Sequence, residues 1–103
     1  MMEIPLQAVA NQSLTVTLEG SRFALTLKET HGVMALDVER DGVELLRGHR
    51  IVPAAPLLPY RFLQDGGNFV LLTENDELPY YTQFGFSQQL VYLTAAEVAA
   101  LKG

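Results

Sequence analysis

The sequence predicts a single small antiparallel all-β domain, either a β-barrel or a β-sandwich, of about 7–8 short strands with a short C-terminal helix. Three observations predict it. Apolar and polar side chains alternate in run after run. Short glycine-containing breaks separate the runs. The period changes only at the C-terminal end. The 103 residues suit one domain, and a hydrophobic share of 49% is enough for one core.

Residues 1–12 read as an extended N-terminal segment ahead of a single β domain spanning 13–103. In the first clear run, Leu14, Val16 and Leu18 share one face while Thr15 and Thr17 take the other. Glu19, Gly20 and Ser21 break that run. Phe23, Leu25 and Leu27 then resume the alternation, with Ala24, Thr26 and Lys28 opposite, so the two runs form a hairpin. A second turn at His31–Gly32 leads into Met34, Leu36 and Val38, which alternate with Ala35, Asp37 and Glu39. Asp41–Gly42 is the clearest hairpin turn in the chain. Val43–Arg47 is extended again, and Gly48 marks a bend or bulge before Arg50–Ile51–Val52.

Pro53, Pro56 and Pro59 exclude a regular central strand, because proline lacks the N–H a ladder needs. The segment is therefore an extended loop or edge, with Leu57, Leu58, Tyr60 and Phe62 as its anchors. After an Asp65–Gly66–Gly67 turn, Phe69 to Thr73 reads as a central strand, apolar on both faces, closed by the polar turn Glu74–Asn75–Asp76–Glu77. Pro79 interrupts the next stretch, which carries Tyr80, Tyr81, Phe84 and Phe86. Gly85 there permits a bulge or a positive φ. Gln88 to Leu93 is the last strand, Leu90 and Tyr92 on one face and Val91 and Leu93 on the other. Thr94 and Glu97 have capping-box spacing, which predicts a two-turn helix over about 95–102 with Val98 and Leu101 on one face.

Several function classes are excluded or disfavoured. Without cysteine there are no disulfides, thiolate metal sites or cysteine nucleophiles. A net charge of −5 argues against non-specific binding to phosphate backbones. No apolar run is long enough to span a bilayer as a helix, and the N-terminus lacks the basic-then-apolar pattern of a signal peptide, so cytoplasmic synthesis and no membrane insertion are expected. His31 and His49, even with Asp65 or Asp76, have no spacing that dictates a metal site. Ser21 and Ser87 lie outside any nucleophile elbow. Gly66–Gly67 leads into a strand, whereas a phosphate loop leads into a helix. The acidic Glu74–Glu77 turn has too few correctly spaced ligands for an EF-hand. The expectation is a protein that is not an enzyme and takes no cofactor.

Two regions stand out as contact surfaces. One is the proline- and leucine-rich middle, with Pro56, Leu57, Leu58 and Tyr60. The other is the aromatic stretch holding Tyr80, Tyr81 and Phe84. Prolines pre-order a loop and so reduce the entropy lost on binding. Arg40, Arg47, Arg50 and Arg61, with Tyr60 and Phe62, define the alternative: a small β-barrel binding single-stranded nucleic acid or a small ligand.

The order of features also resembles the baseplate plug proteins of contractile-tailed phages and prophages. The resemblance is carried by Ile4–Pro5–Leu6, Asn11–Gln12, Leu18–Glu19–Gly20, Leu36–Asp37–Val38, Asp41–Gly42, Leu45 with Gly48, Leu57–Leu58, Phe84–Gly85, Gln89–Leu90–Val91–Tyr92 and Glu97. Ala10 stands where the family often has proline, and no tryptophan precedes Leu36–Asp37. The resemblance implies a virion structural protein in the tail baseplate, made in the host cytoplasm and acting as a central plug against hub and spike proteins at the axial end of the tail tube. No catalytic residue or cofactor is implied, and self-association is an additional mode of contact. On this reading Ile4, Pro5, Leu6, Asn11 and Gln12 dock onto neighbouring chains: Ile4 and Leu6 fill apolar notches, Pro5 stiffens the approach, and the two amides satisfy exposed backbone groups.

Overall fold

Every tight turn between the first long strands requires positive φ at two successive residues, and the chain supplies it each time. Glu19–Gly20, His31–Gly32 and Asp41–Gly42 have φ of 50 and 80, 50 and 84, and 52 and 84 degrees. This is the two-residue hairpin geometry whose twist matches that of the flanking strands. In the computed structural model, which describes residues 1–53, 55–58, 67–75 and 77–102, these turns join β2 (Gln12–Leu18), β3 (Ser21–Thr30), β4 (Val33–Arg40) and β5 (Val43–Arg50) into one antiparallel meander. A second antiparallel sheet is built from β1 (Met2–Ile4), β6 (Asn68–Thr73) and β7 (Gln88–Leu93), in the order β1-β7-β6. Helix α1 (Ala95–Lys102) follows β7 directly.

The two sheets face each other as a sandwich and do not close into a barrel. Phe23 of the four-stranded sheet meets Phe69 of the other edge-on, with ring centroids 5.3 Å apart, and Tyr92 lies 5.1 Å from Phe69 and 5.9 Å from Phe23. Around this aromatic centre pack Leu25, Leu27, Met34, Leu36 and Val38 from one sheet and Ile4, Leu71 and Leu90 from the other. Each side chain of this kind contributes about 1.5–3 kcal/mol by leaving water. The polar positions between them on β3 and β4 alternate outward as the sequence predicts.

β5 departs from simple alternation. Its register against β4 shifts between Leu36 and Val38 and again between Val38 and Glu39, so β5 carries extra residues there. Gly48 has φ of 61 degrees, and its N–H donates to Asp37 Oδ1 at 2.6 Å. The sequence-predicted bulge is therefore closed by an aspartate on the neighbouring strand, and the shift lets the consecutive Leu45 and Leu46 both be buried. That N–H, together with Lys28 at 2.9 Å, holds the Asp37 carboxyl below its ordinary value.

Three placements differ from the expectations. Met2–Ile4 is a strand paired with β7, so part of the N-terminal segment belongs to the sandwich. β6 is a lateral strand rather than a central one. Its outer side is covered by the proline segment, through a parallel bridge between Pro53 and Leu71 and a bond from Leu57 N–H to the Phe69 carbonyl at 2.9 Å. And β5 runs unbroken through the bulge to Arg50.

Candidate docking surface

The irregular segments are held by buried amides. Asn68, 1% exposed at the start of β6, accepts the Leu58 N–H at 2.8 Å and donates to the Leu58 carbonyl at 3.2 Å. Gln88, fully buried at the start of β7, accepts the Tyr80 N–H at 2.9 Å and donates to the Leu78 carbonyl at 2.8 Å. Each amide substitutes for the ladder that proline denies its segment. As a result Leu57, Leu58 and Phe84 point inward and are nearly fully buried, as is Ile4. These four of the candidate contact residues pack inside the domain.

The remaining candidates fall into two places. At one end of the sandwich, Asn11 Oδ1 accepts the Glu29 N–H at 3.3 Å, and the Tyr80 hydroxyl donates to Glu29 Oε2 at 3.4 Å. Half-buried Leu6, Tyr80 and Tyr81 pack against the core, the two tyrosine rings 4.7 Å apart. The Gln12 side chain accepts the Gln7 N–H at 3.0 Å and donates to the Gln7 carbonyl at 2.7 Å. The amides of Asn11 and Gln12 thus bind this chain's own backbone. Pro5 is exposed. Tyr60, like Arg61, Phe62, Asp65, Gly66 and Asp76, lies outside the described residues.

The second place is a groove on the outer face of the three-stranded sheet. Because β6 and β7 are apolar on both faces, Val70, Leu72, Val91 and Leu93 point away from the core. Met1, Pro56 and the α1 residues Glu97 and Ala100 enclose them in a hollow of about 470 Å³. α1 is held beside it by a reciprocal cap: the Glu97 N–H donates to Thr94 Oγ1 at 3.2 Å and the Thr94 N–H to Glu97 Oε1 at 2.9 Å. The other Glu97 oxygen meets the terminal amine of Met1, and these contacts lower the Glu97 carboxyl below its ordinary value. Leu72 also lines a neighbouring shallow hollow with Phe86, which is 72% exposed. Leu72 and Phe86 sit there among the polar Thr73, Glu74, Ser87 and Gln89.

Of the candidate contact residues, the groove takes in only Pro56. The sequence did carry the signal for the rest, since Phe69–Thr73 and Gln88–Leu93 each read as apolar on both faces. One face fills the core, and the other lines the groove beneath α1, Met1 and Pro56. Among the described residues, no group of three histidine, aspartate or glutamate side chains is arranged to hold a metal ion, and no helix is long and apolar enough to cross a membrane. His31 and His49 are both exposed. Arg47 pairs with Glu44 at 3.3 Å on the solvent side of β5.

The family described as "Cyanophage baseplate Pam3 plug gp18" matches residues 1–96. No curated protein matches the chain.

Proposed function

The chain belongs to this phage baseplate plug family, and from that membership we propose that it packs against hub and spike proteins at the axial end of the tail tube. Family membership carries a structural role in the phage tail baseplate and a place in the virion. The finer reading rests on the groove between α1 and the outer face of β6 and β7. A rigid sandwich with a preformed apolar hollow loses little entropy when another chain fills it. The occupant is an apolar segment of a hub or spike chain, seated on Val70, Leu72, Val91 and Leu93. The action is one of assembly, with no reacting group involved.

The experiment is co-purification of the tagged chain with the hub and spike chains of the same phage, using wild type and a Val70→Lys/Leu72→Lys variant. The expected result is capture by wild type and its loss in the variant, with the far-UV spectrum unchanged. Capture by both proteins would remove the groove from the reading. Failure of wild type to capture either chain would remove the hub and spike as partners.

A further inference from the structure

The two sheets have four lateral edges, and three of them are guarded. β1 is only three residues long. β6 is covered through Pro53 and Leu57. β5 carries Glu44, Arg47 and Arg50, and its register with β4 shifts twice at bulges. Short strands, covering segments, charges and bulges are the usual devices that keep an edge from pairing. Among the described residues, β2 has none of them. Its seven residues, Gln12–Leu18, include no charge, proline or glycine, and its register with β3 runs without interruption from Gln12↔Leu27 to Leu18↔Ser21.

The geometry also fixes which groups the edge offers. The two-residue Glu19–Gly20 turn makes Leu18 and Ser21 a hydrogen-bonded pair, so Val16, Leu14 and Gln12 bond to β3 in alternation. Ser13, Thr15 and Thr17 therefore present their N–H and C=O outward. Among the described residues no second strand pairs with them. The core-side residues of β2 show the same lack of a neighbour: Leu14 and Val16 are only half-buried, whereas their β3 partners Leu25 and Phe23 are 1% and 3% exposed.

We infer that β2 pairs antiparallel with β2 of a second copy of this chain, centred on Thr15. The five residues Ser13–Thr17 are close to palindromic in chemical character about Thr15, and the flanking pair sets Gln12 opposite Leu18. Leu14 then faces the second copy's Val16 on the core side, and Ser13 faces Thr17 on the solvent side, while Thr15 faces itself. Apolar meets β-branched apolar and hydroxyl meets hydroxyl, the cross-strand pairs that stabilise sheets. At the ends Glu19 falls opposite Asn11, so no like charges meet. The outward groups of three residues in each copy supply about six backbone hydrogen bonds across the twofold axis, joining two four-stranded sheets into one.

Sedimentation equilibrium of the full chain over a concentration series tests this, with two double variants at the exposed positions. Wild type is expected to approach twice the monomer mass. Ser13→Lys/Thr17→Lys sets lysine opposite lysine twice and weakens association about tenfold. Ser13→Lys/Thr17→Glu sets lysine opposite glutamate twice and restores it. In wild type, amide exchange at Ser13, Thr15 and Thr17 is expected to slow as concentration rises, a readout that needs no variant to fold. A monomer throughout, equal association of the two variants, or exchange at these amides independent of concentration would overturn the proposal.

Discussion

The hydroxyl of Tyr92 donates to Glu19 Oε1 at 2.7 Å, joining residues 73 positions apart in the chain. The same carboxylate oxygen accepts the Ala95 N–H at 3.0 Å, and the Tyr92 oxygen in turn accepts the Gly67 N–H at 3.2 Å. One glutamate in the β2–β3 turn thus ties the four-stranded sheet to the end of β7 and the first turn of α1. Its backbone sits at φ of 50 degrees, an uncommon conformation for glutamate. The cross-sheet bond explains why a glutamate occupies a turn position where asparagine or aspartate is the usual choice.

Burial, then the adjacent Glu19 carboxylate, push the Tyr92 phenol up to about 12 from an ordinary 10.0. The folded state therefore keeps the proton over a range in which the unfolded chain releases it. Stability from this group is complete below pH 10.0 and is lost as pH rises toward about 12. Urea titrations across that range should show wild type losing on the order of 2 kcal/mol more than Tyr92→Phe. Parallel pH profiles for the two proteins would refute the assignment.

Gly67 has no room for a side chain. A Cβ there would lie 1.9 Å from the Leu93 carbonyl oxygen and 2.6 Å from the end of the Tyr92 ring. The backbone oxygen cannot retreat without breaking the β6–β7 ladder beside it. Gly67→Ala is expected to destabilise by about 3 kcal/mol through overpacking, read as a lower Tm by calorimetry. A Tm within a degree or so of wild type would show that the approach is looser.

Asn68→Ala would leave the Leu58 N–H and carbonyl without their partner inside the domain. The expected cost is at least about 2 kcal/mol, because orphaned buried backbone groups lose water without regaining a bond. The local consequence is more specific than the stability loss. Amide exchange at Leu57 and Leu58 should accelerate well beyond that of Leu25 in the opposite sheet. Uniform acceleration would mean that Asn68 contributes only to global stability.

Much of this architecture is legible in the sequence because it is local. The turn residues at His31–Gly32 and Asp41–Gly42, the alternation of Phe23, Leu25 and Leu27, and the Thr94–Glu97 cap each express a rule that spans a few positions. What escapes is long-range. β1 is too short to show a period, and its existence depends on β7 about ninety residues away. Asn68 and Gln88 look like any surface amides until the segments they bind are in place. Large apolar residues beside prolines, such as Leu57 and Leu58, suit an interface as well as a core, and only the amide clamps decide the direction they face. The plug-family resemblance was legible from motif order across the chain, though the groove was not, since it forms between β6, β7 and α1.

Leu71 and Leu72 are neighbours on β6 with opposite fates, and the contrast tests the division between core and groove. Leu71 is fully buried beneath the sheet, whereas Leu72 is 39% exposed and lines the groove on the other face. Leu71→Ala should cost about 2–5 kcal/mol by lost transfer and residual cavity. Leu72→Ser should change stability by no more than about 0.5 kcal/mol, because that side chain is already 39% exposed in the folded protein. If the groove seats a baseplate chain, Leu72→Ser should nevertheless weaken capture of that chain, whereas a folded Leu71→Ala protein should still bind. Chemical denaturation paired with the co-purification assay reads both quantities. A large stability loss at Leu72 would place that side chain in the core, and unchanged capture would place the partner elsewhere on the molecule.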